Sequence, residues 1–394
     1  MRFADICHQD RAVSIIRRAL ASGRSHHAYL FDGPEGVGKE TAAMALTGRM
    51  LCEASDLAAD ADACGACPSC RLFASGNHPD FHAIDRRLHR LHPDPNVRRS
   101  KGLSLAVDVI RHFLIAPAGL KPSRGRARVF LVREAERMND GAQNALLKTL
   151  EEPPGASRLI LVTTSAARLL TTIRSRCQIV SFSPLPLRFV AERLRIEAGM
   201  DADTAHMFAR LSDGRLGAAL RWHQLELEAT LNDVAACLSR LDGLDPEAFG
   251  KGLIEAAESL ARRTIALDKA DETTADEPLA TAAKPRRTSA GVKAPKAAAG
   301  KSVPTDDFRA AMKLVLMLVA AVFRDAVIVR AGGDGELAAL PAHRPLSERL
   351  AAGELGAAPE ACIRAVTEAE TMLDRNVNNQ LLCERLAAAL CGSA

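Results

Sequence analysis

In the first half of the chain, short apolar runs alternate with longer amphipathic stretches. Ala28–Phe31, Val129–Val132, Leu159–Val162 and Ile179–Phe182 each have the length and β-rich composition of a buried strand. His78–Asp85 reads as a further strand. Between them, Asp10–Ser22 places Ala12, Val13, Ile15, Ile16, Ala19 and Leu20 at helical spacing, and Thr41–Met50 and Leu105–Leu114 are also helical. The sharpest helix is in Met138–Pro154, where Ala142, Ala145, Leu146, Thr149 and Leu150 recur on one face. Asp140 is its expected N-cap, with Gln143 three residues on, and Pro153–Pro154 stops it. Strand, helix and strand at this spacing predict βαβ units and a parallel sheet, so the N-terminal half is α/β.

The pattern then becomes wholly helical. Leu185–Trp222 predicts a small three-helix lid, with Asp201 or Asp203 capping the second helix and Pro184 and Pro186 at the hinge. Gln224–Asp268 is again helical. Lys269–Pro304 has almost no large apolar residues and is expected to be disordered. Past it, the run from Phe308 to Ala331 is strongly apolar and helical, and further amphipathic helices follow. The expected domains are 1–184, 185–225 and 226–394, the last interrupted at 269–304.

One loop between strand and helix carries chemistry. Gly33, Gly36 and Gly38 precede Lys39, satisfying Gly-x4-Gly-Lys between a strand and a helix N-terminus. Backbone N–H groups of such a loop cradle a phosphate anion, and the lysine reaches its outer oxygens. The next position needs a hydroxyl to hold Mg²⁺, but it is Glu40, and Thr41 comes one residue late. Two readings stand: an ATP-binding loop, or a vestigial turn that keeps its shape without a ligand. After the third strand, Arg133 occupies the place of the metal-holding Asp and Glu134 that of the water-polarising Glu. Thr163–Ser165 lies at the carboxyl end of the fourth strand, where open α/β sheets bind ligands.

Cysteine spacing adds a second site. Cys52, Cys64, Cys67 and Cys70 give C-x11-C-x2-C-x2-C, with Gly65 and Pro68 as turn residues. Four soft ligands at this spacing predict a closed, structural zinc site. His78 and His82 are alternative ligands.

Composition narrows the setting. The chain has 394 residues, 47% hydrophobic, enough for two or three domains with real cores. Aromatics are 4%, with one Trp and one Tyr, which argues against base-stacking platforms. The formal net charge of +4 is compatible with contact to a polyanion. Two basic stretches, Arg86–Lys101 and Lys121–Arg128, could meet nucleic-acid phosphates or be solvated loops. No run is long enough to span a membrane and the first residues lack an apolar signal core, so a cytoplasmic protein with reduced cysteines is expected.

The glycine loop, the cysteine module after its helix, "NALLKTLEEPP" and "SRC" together resemble the bacterial DNA polymerase III clamp loader, an AAA+ family. The resemblance covers roughly the first 220 residues strongly and implies a P-loop AAA+ domain with an inserted zinc module, a helical lid and a C-terminal helical collar. It implies partners: gamma/tau and delta subunits, the sliding clamp, and primed DNA through the assembly. Glu40, Arg133 and Gly217, which stands where the motor subunits keep a "sensor 2" arginine, favour the non-motor delta-prime class over the gamma/tau motors. By resemblance, Arg176 of "SRC" is an arginine finger acting in trans on a neighbour's ATP, a role that stabilises charge developing on the γ-phosphate. Its plain alternative is a surface arginine. Two other functions remain open: an active gamma/tau-like motor using Thr41 and Glu134, and a zinc-containing DNA-binding protein outside replication. No constellation for nucleotidyl transfer is visible.

Overall fold

The computed structural model describes residues 2–392 except 24, 101, 103, 125, 242–245, 277–302, 334–336, 355 and 376. The chain divides into two units. The first holds Met1–Pro186 with Gly214–Gly217, and the second holds Leu187–Asp213 with Ala218–Ala394.

In the first unit, strands β1 (Ala28–Asp32), β2 (Phe81–Ile84), β3 (Arg128–Val132), β4 (Ser157–Thr163) and β5 (Gln178–Ser181) form one sheet of order β2-β3-β4-β1-β5. Every pairing is parallel, with Leu30 opposite both Leu161 and Ile179. Parallel strands buried on both faces need apolar residues at every position, which is why they read as continuous runs rather than alternations. Alternate side chains feed two cores. Leu30, Ile84, Phe130, Val132 and Leu161 pack with helices α5 (Val107–Ile110), α6 (Ala116–Ala118) and α7 (Asp140–Glu151). Tyr29, Phe31, Val129, Leu131 and Val180 pack with α1 (Asp10–Ala21) and α2 (Lys39–Leu51). Helices α3 (Pro68–Ala74), α4 (Pro95–Arg98) and α8 (Thr171–Arg174) are short pieces in the connections.

Three local expectations change. The N-cap of α7 is Asn139, whose side chain accepts from Ala142 N–H, rather than Asp140. Asp140 instead sits in the first turn, where its charge suits the helix dipole. Gln143 does not close a capping box. It donates to Met138 O at 3.0 Å and accepts from Leu170 N–H at 2.8 Å, tying the helix to the loop after β4. The helix foreseen at Leu105–Leu114 starts at Val107 and passes through a π-helical turn at Arg111–Ile115.

Among the described residues, the second unit is all helical. Helices α9 (Leu187–Ala198) and α10 (Ala202–Leu211) pack as a pair, and Asp201 caps α10 through Thr204 N–H. Helix α11 (Leu216–Gln224) follows, its first two residues belonging to the first unit. The remainder is α12 (Leu227–Leu238), α13 (Pro246–Asp276), α14 (Thr305–Arg330), α15 (Arg344–Ala351), α16 (Pro359–Asp374) and α17 (Asn379–Leu390). Helix α14 is the hub, packing on α12, α13, α15 and α16, which explains its apolar surface on several sides. Its buried Asp325 accepts from Ala339 and Leu340 N–H groups, a carboxylate used to satisfy loop backbone. Helix α13 runs to Asp276, eight residues into the stretch expected to be disordered; most of that stretch, 277–302, lies outside the described residues. Among the described residues, no helix is long and apolar enough to cross a membrane.

Candidate nucleotide site and metal centre

The loop after β1 has the backbone of a phosphate cradle. Gly36 and Gly38 have φ of 77° and 98°, and Gly33 has φ of 151°. A side chain at Gly33 would bring its Cβ to 2.4 Å from Phe182 O. Buried Gln9 staples the loop to the segment after β5, donating to Val37 O and Ser183 O and accepting from Ser183 N–H. Asp32 accepts from Ala166 N–H at 2.8 Å, joining the ends of β1 and β4. The loops therefore meet at the carboxyl ends of adjacent strands, where a ligand is expected.

The side chains serve other partners. Lys39 is 5% exposed, and its ammonium donates to Gly33 O at 2.6 Å and to Pro34 O. Burial lowers its pKa, while Glu136, Glu35 and Asp32 oppose that shift. Glu40, at the hydroxyl position, accepts from Arg133 Nε at 2.7 Å and lies 2.6 Å from its Nη2. Arg133 Nη1 also lies 3.8 Å from Asp85. The two residues at the positions where sequence reasoning expects metal-handling groups thus meet as one ion pair, 93 residues apart in sequence. Thr41 is half-buried on the same helix.

Glu134 is held as well. Its backbone is left-handed (φ 48°), and its carboxylate lies 3.2 Å from Arg86 and 3.1 Å from Arg137. Of the carboxylates that act on Lys39, the first is Glu136, which sequence reasoning passed over. Burial raises its pKa, but hydrogen bonds, chiefly from the Thr164 hydroxyl at 2.7 Å, outweigh that and hold it below the usual range. Its place two residues past Glu134 was the available signal.

Gly217 closes the other side of the loop. Its N–H donates to Gly36 O at 3.0 Å, and a Cβ there would stand 2.8 Å from Gly36 Cα. That close approach leaves no room for an arginine side chain at 217.

Arg176 lies just after α8. Its Nη1 donates to Thr172 O at 2.9 Å and its Nη2 is 2.5 Å from Glu151 at the end of α7; a third of the side chain is exposed.

The four cysteines converge. Their sulfurs all lie within 4.8 Å of one another, and Cys64 Sγ and Cys70 Sγ are 3.8 Å apart. A tetrahedral ion with Zn–S bonds of about 2.3 Å needs sulfurs about 3.8 Å apart, so the donor set fits. Cys64, Cys67 and Cys70 N–H groups point at Cys52, Cys64 and Cys67 sulfurs at 3.3–3.5 Å, as thiolate ligands require. Backbone donors, first that of Ala66, pull the Cys64 thiol down to about 6, and burial raises Cys70. The histidines stand apart from this set. His78 Nε2 pairs with Ser69 Oγ at 2.7 Å, and His82 stacks on Phe130.

The second basic stretch is partly internal. Arg128 is buried against fully buried Asp80 at 3.2 Å, and Asp80 also accepts from Ser123 and Arg124 N–H groups. Arg128 is thus structural, not a phosphate contact.

Comparison with known proteins adds relatives. Residues 8–186 match the family described as "DNA polymerase III, delta subunit". The chain is 33% identical over 207 residues to DNA polymerase III subunit delta' of Bacillus subtilis and 34% over 204 residues to that of Escherichia coli. Each match covers 52% of this chain and 56% of the relative, so the chain spans little more than half of either. DNA polymerase III subunit tau of Escherichia coli is 31% identical over 276 residues, 67% of this chain and 39% of that protein. Superposition on a gamma-subunit-related protein of Thermotoga maritima is loose, with TM-score 0.44 and 14% identity over 96% of this chain and 98% of that one, so the assignment rests on sequence. Through residues 8–186, the chain is thus similar to DNA polymerase III delta′ subunits.

Proposed function

We propose that this chain is the non-motor subunit of a cytoplasmic DNA polymerase III clamp loader. It sits among gamma/tau-type ATPase subunits and a delta subunit, and the assembly places a sliding clamp on primed DNA. The chain has no hydrolysing site of its own and lends Arg176 to ATP held by its neighbour. A single observation carries this reading: Arg133 and Glu40, in the two positions that would hold Mg²⁺, neutralise each other at 2.6 Å. A guanidinium where a metal carboxylate belongs repels a divalent cation, and a carboxylate beside the loop repels phosphate. Lys39 spends two of its three donors on the loop's own carbonyls.

Cys52, Cys64, Cys67 and Cys70 would hold a zinc ion whose chemistry is structural, since four thiolates close its coordination shell. The chain's residues fix that module to the domain: Ser69 donates to Leu51 O at 2.6 Å and pairs with His78.

The test is co-purification with the other loader subunits, followed by ATPase measurement with and without primed DNA. The reading expects stable assembly, DNA-stimulated turnover that falls in Arg176→Ala, and no turnover by the lone chain. Robust ATP turnover by the lone chain would place it among the motors instead.

A further inference from the structure

We propose that Glu151 is a positioning residue for Arg176, and that it orients the guanidinium offered to the neighbouring subunit. This rests on the finger reading above. Glu151 is the last residue of α7, where the helix dipole disfavours a carboxylate, and Pro153–Pro154 stops the helix from continuing past it. A cation offsets that cost, and Arg176 Nη2 supplies one at 2.5 Å. Its base is rigid, because Ala142, Leu146, Thr149 and Leu150 of the same helix are buried in the sheet core.

Two anchors from different elements hold the one guanidinium. Glu151 takes Nη2 from α7, and Thr172 O takes Nη1 at 2.9 Å from α8. An arginine side chain carries about 2 kcal/mol of rotamer entropy, and a preset fork loses less of it on meeting a phosphate. Nη1 also lies 3.4 Å from Ser175 Oγ; with five N–H donors, the guanidinium still has others for an incoming oxygen. Arg174 of the same segment differs: its Nη2 reaches only Thr171 Oγ1 at 3.2 Å, and its Nε is buried without a hydrogen-bond partner.

The experiment is a double-mutant cycle in the reconstituted loader, using Glu151→Ala, Glu151→Gln, Arg176→Ala and the Glu151→Ala/Arg176→Ala pair. The readouts are kcat and KM for ATP with primed DNA. Glu151→Ala is expected to remove at least about half of the turnover that Arg176→Ala removes, with KM within about twofold. Glu151→Gln should fall between, and the double variant should match Arg176→Ala alone. Because the pair is half-exposed, assembly and melting temperature should hold. Unchanged kcat in Glu151→Ala beside a loss in Arg176→Ala would overturn the proposal and leave the finger intact. A Glu151→Ala effect that persists without Arg176 would overturn it too. No loss in Arg176→Ala would remove the finger and this inference with it.

Discussion

The glycine loop and the cysteine module are both binding geometries recognisable from spacing, and they differ in what their side chains do. In the module, four sulfurs lie within 4.8 Å of one another, and backbone N–H groups support three of them. Every functional group points at one shared position. In the loop the backbone is equally well formed, but Lys39, Glu40 and Arg133 satisfy one another or the chain itself. Retained shape is therefore not retained chemistry. Here the groups that a nucleotide and its metal would use are paired with one another or with the loop's own carbonyls, an arrangement that suits scaffold better than ligand binding.

The largest effect should come from the module. Cys67→Ser together with Cys70→Ser should abolish metal binding and unfold the segment around residues 52–70, because a structural metal contributes folding energy outright. Metal analysis and limited proteolysis read this out. Full protease resistance in that variant would make the two regions alike, each holding its shape unaided.

Next is the loop backbone. Gly33→Ala should destabilise the first unit by about 1–3 kcal/mol, because its Cβ would collide with Phe182 O at a left-handed φ. Thermal melting measures it. A neutral outcome would mean that the loop's shape is not built into the fold.

Lys39→Met should cost about 1–3 kcal/mol through two lost hydrogen bonds to carbonyls. The loader's ATPase should stay unchanged, whereas a nucleotide-binding loop would lose it. The smallest effect belongs to Glu40→Ala. Its pair with Arg133 is substantially exposed, so the change in stability should be under about 1 kcal/mol. A much larger loss would show that this pair, rather than the backbone, holds the loop.

These residues also show what the chain disclosed in advance. The sheet was legible because parallel strands demand apolar residues throughout, and the amphipathic run to Pro153–Pro154 fixed α7. The N-cap was misplaced by one residue because Asn139 and Asp140 both suit that role, and only backbone geometry separates them. The break at Arg111–Ile115 left no trace in the apolar pattern. Arg128 read as part of a basic surface because its partner, Asp80, lies 48 residues away. For the same reason, Glu40 and Arg133 read as two separate defects rather than as one contact. The approach of Gly217 to Gly36 likewise joins segments whose separation in sequence hides it. Local patterns gave the elements; long-range pairing decided what the site can do.

The most direct test of an internally satisfied loop is titration of the purified, metal-loaded chain with Mg·ATP by calorimetry. The account predicts no saturable binding up to about 1 mM, where affinity corresponds to only about 4 kcal/mol. Micromolar binding that is lost in Lys39→Met would contradict it.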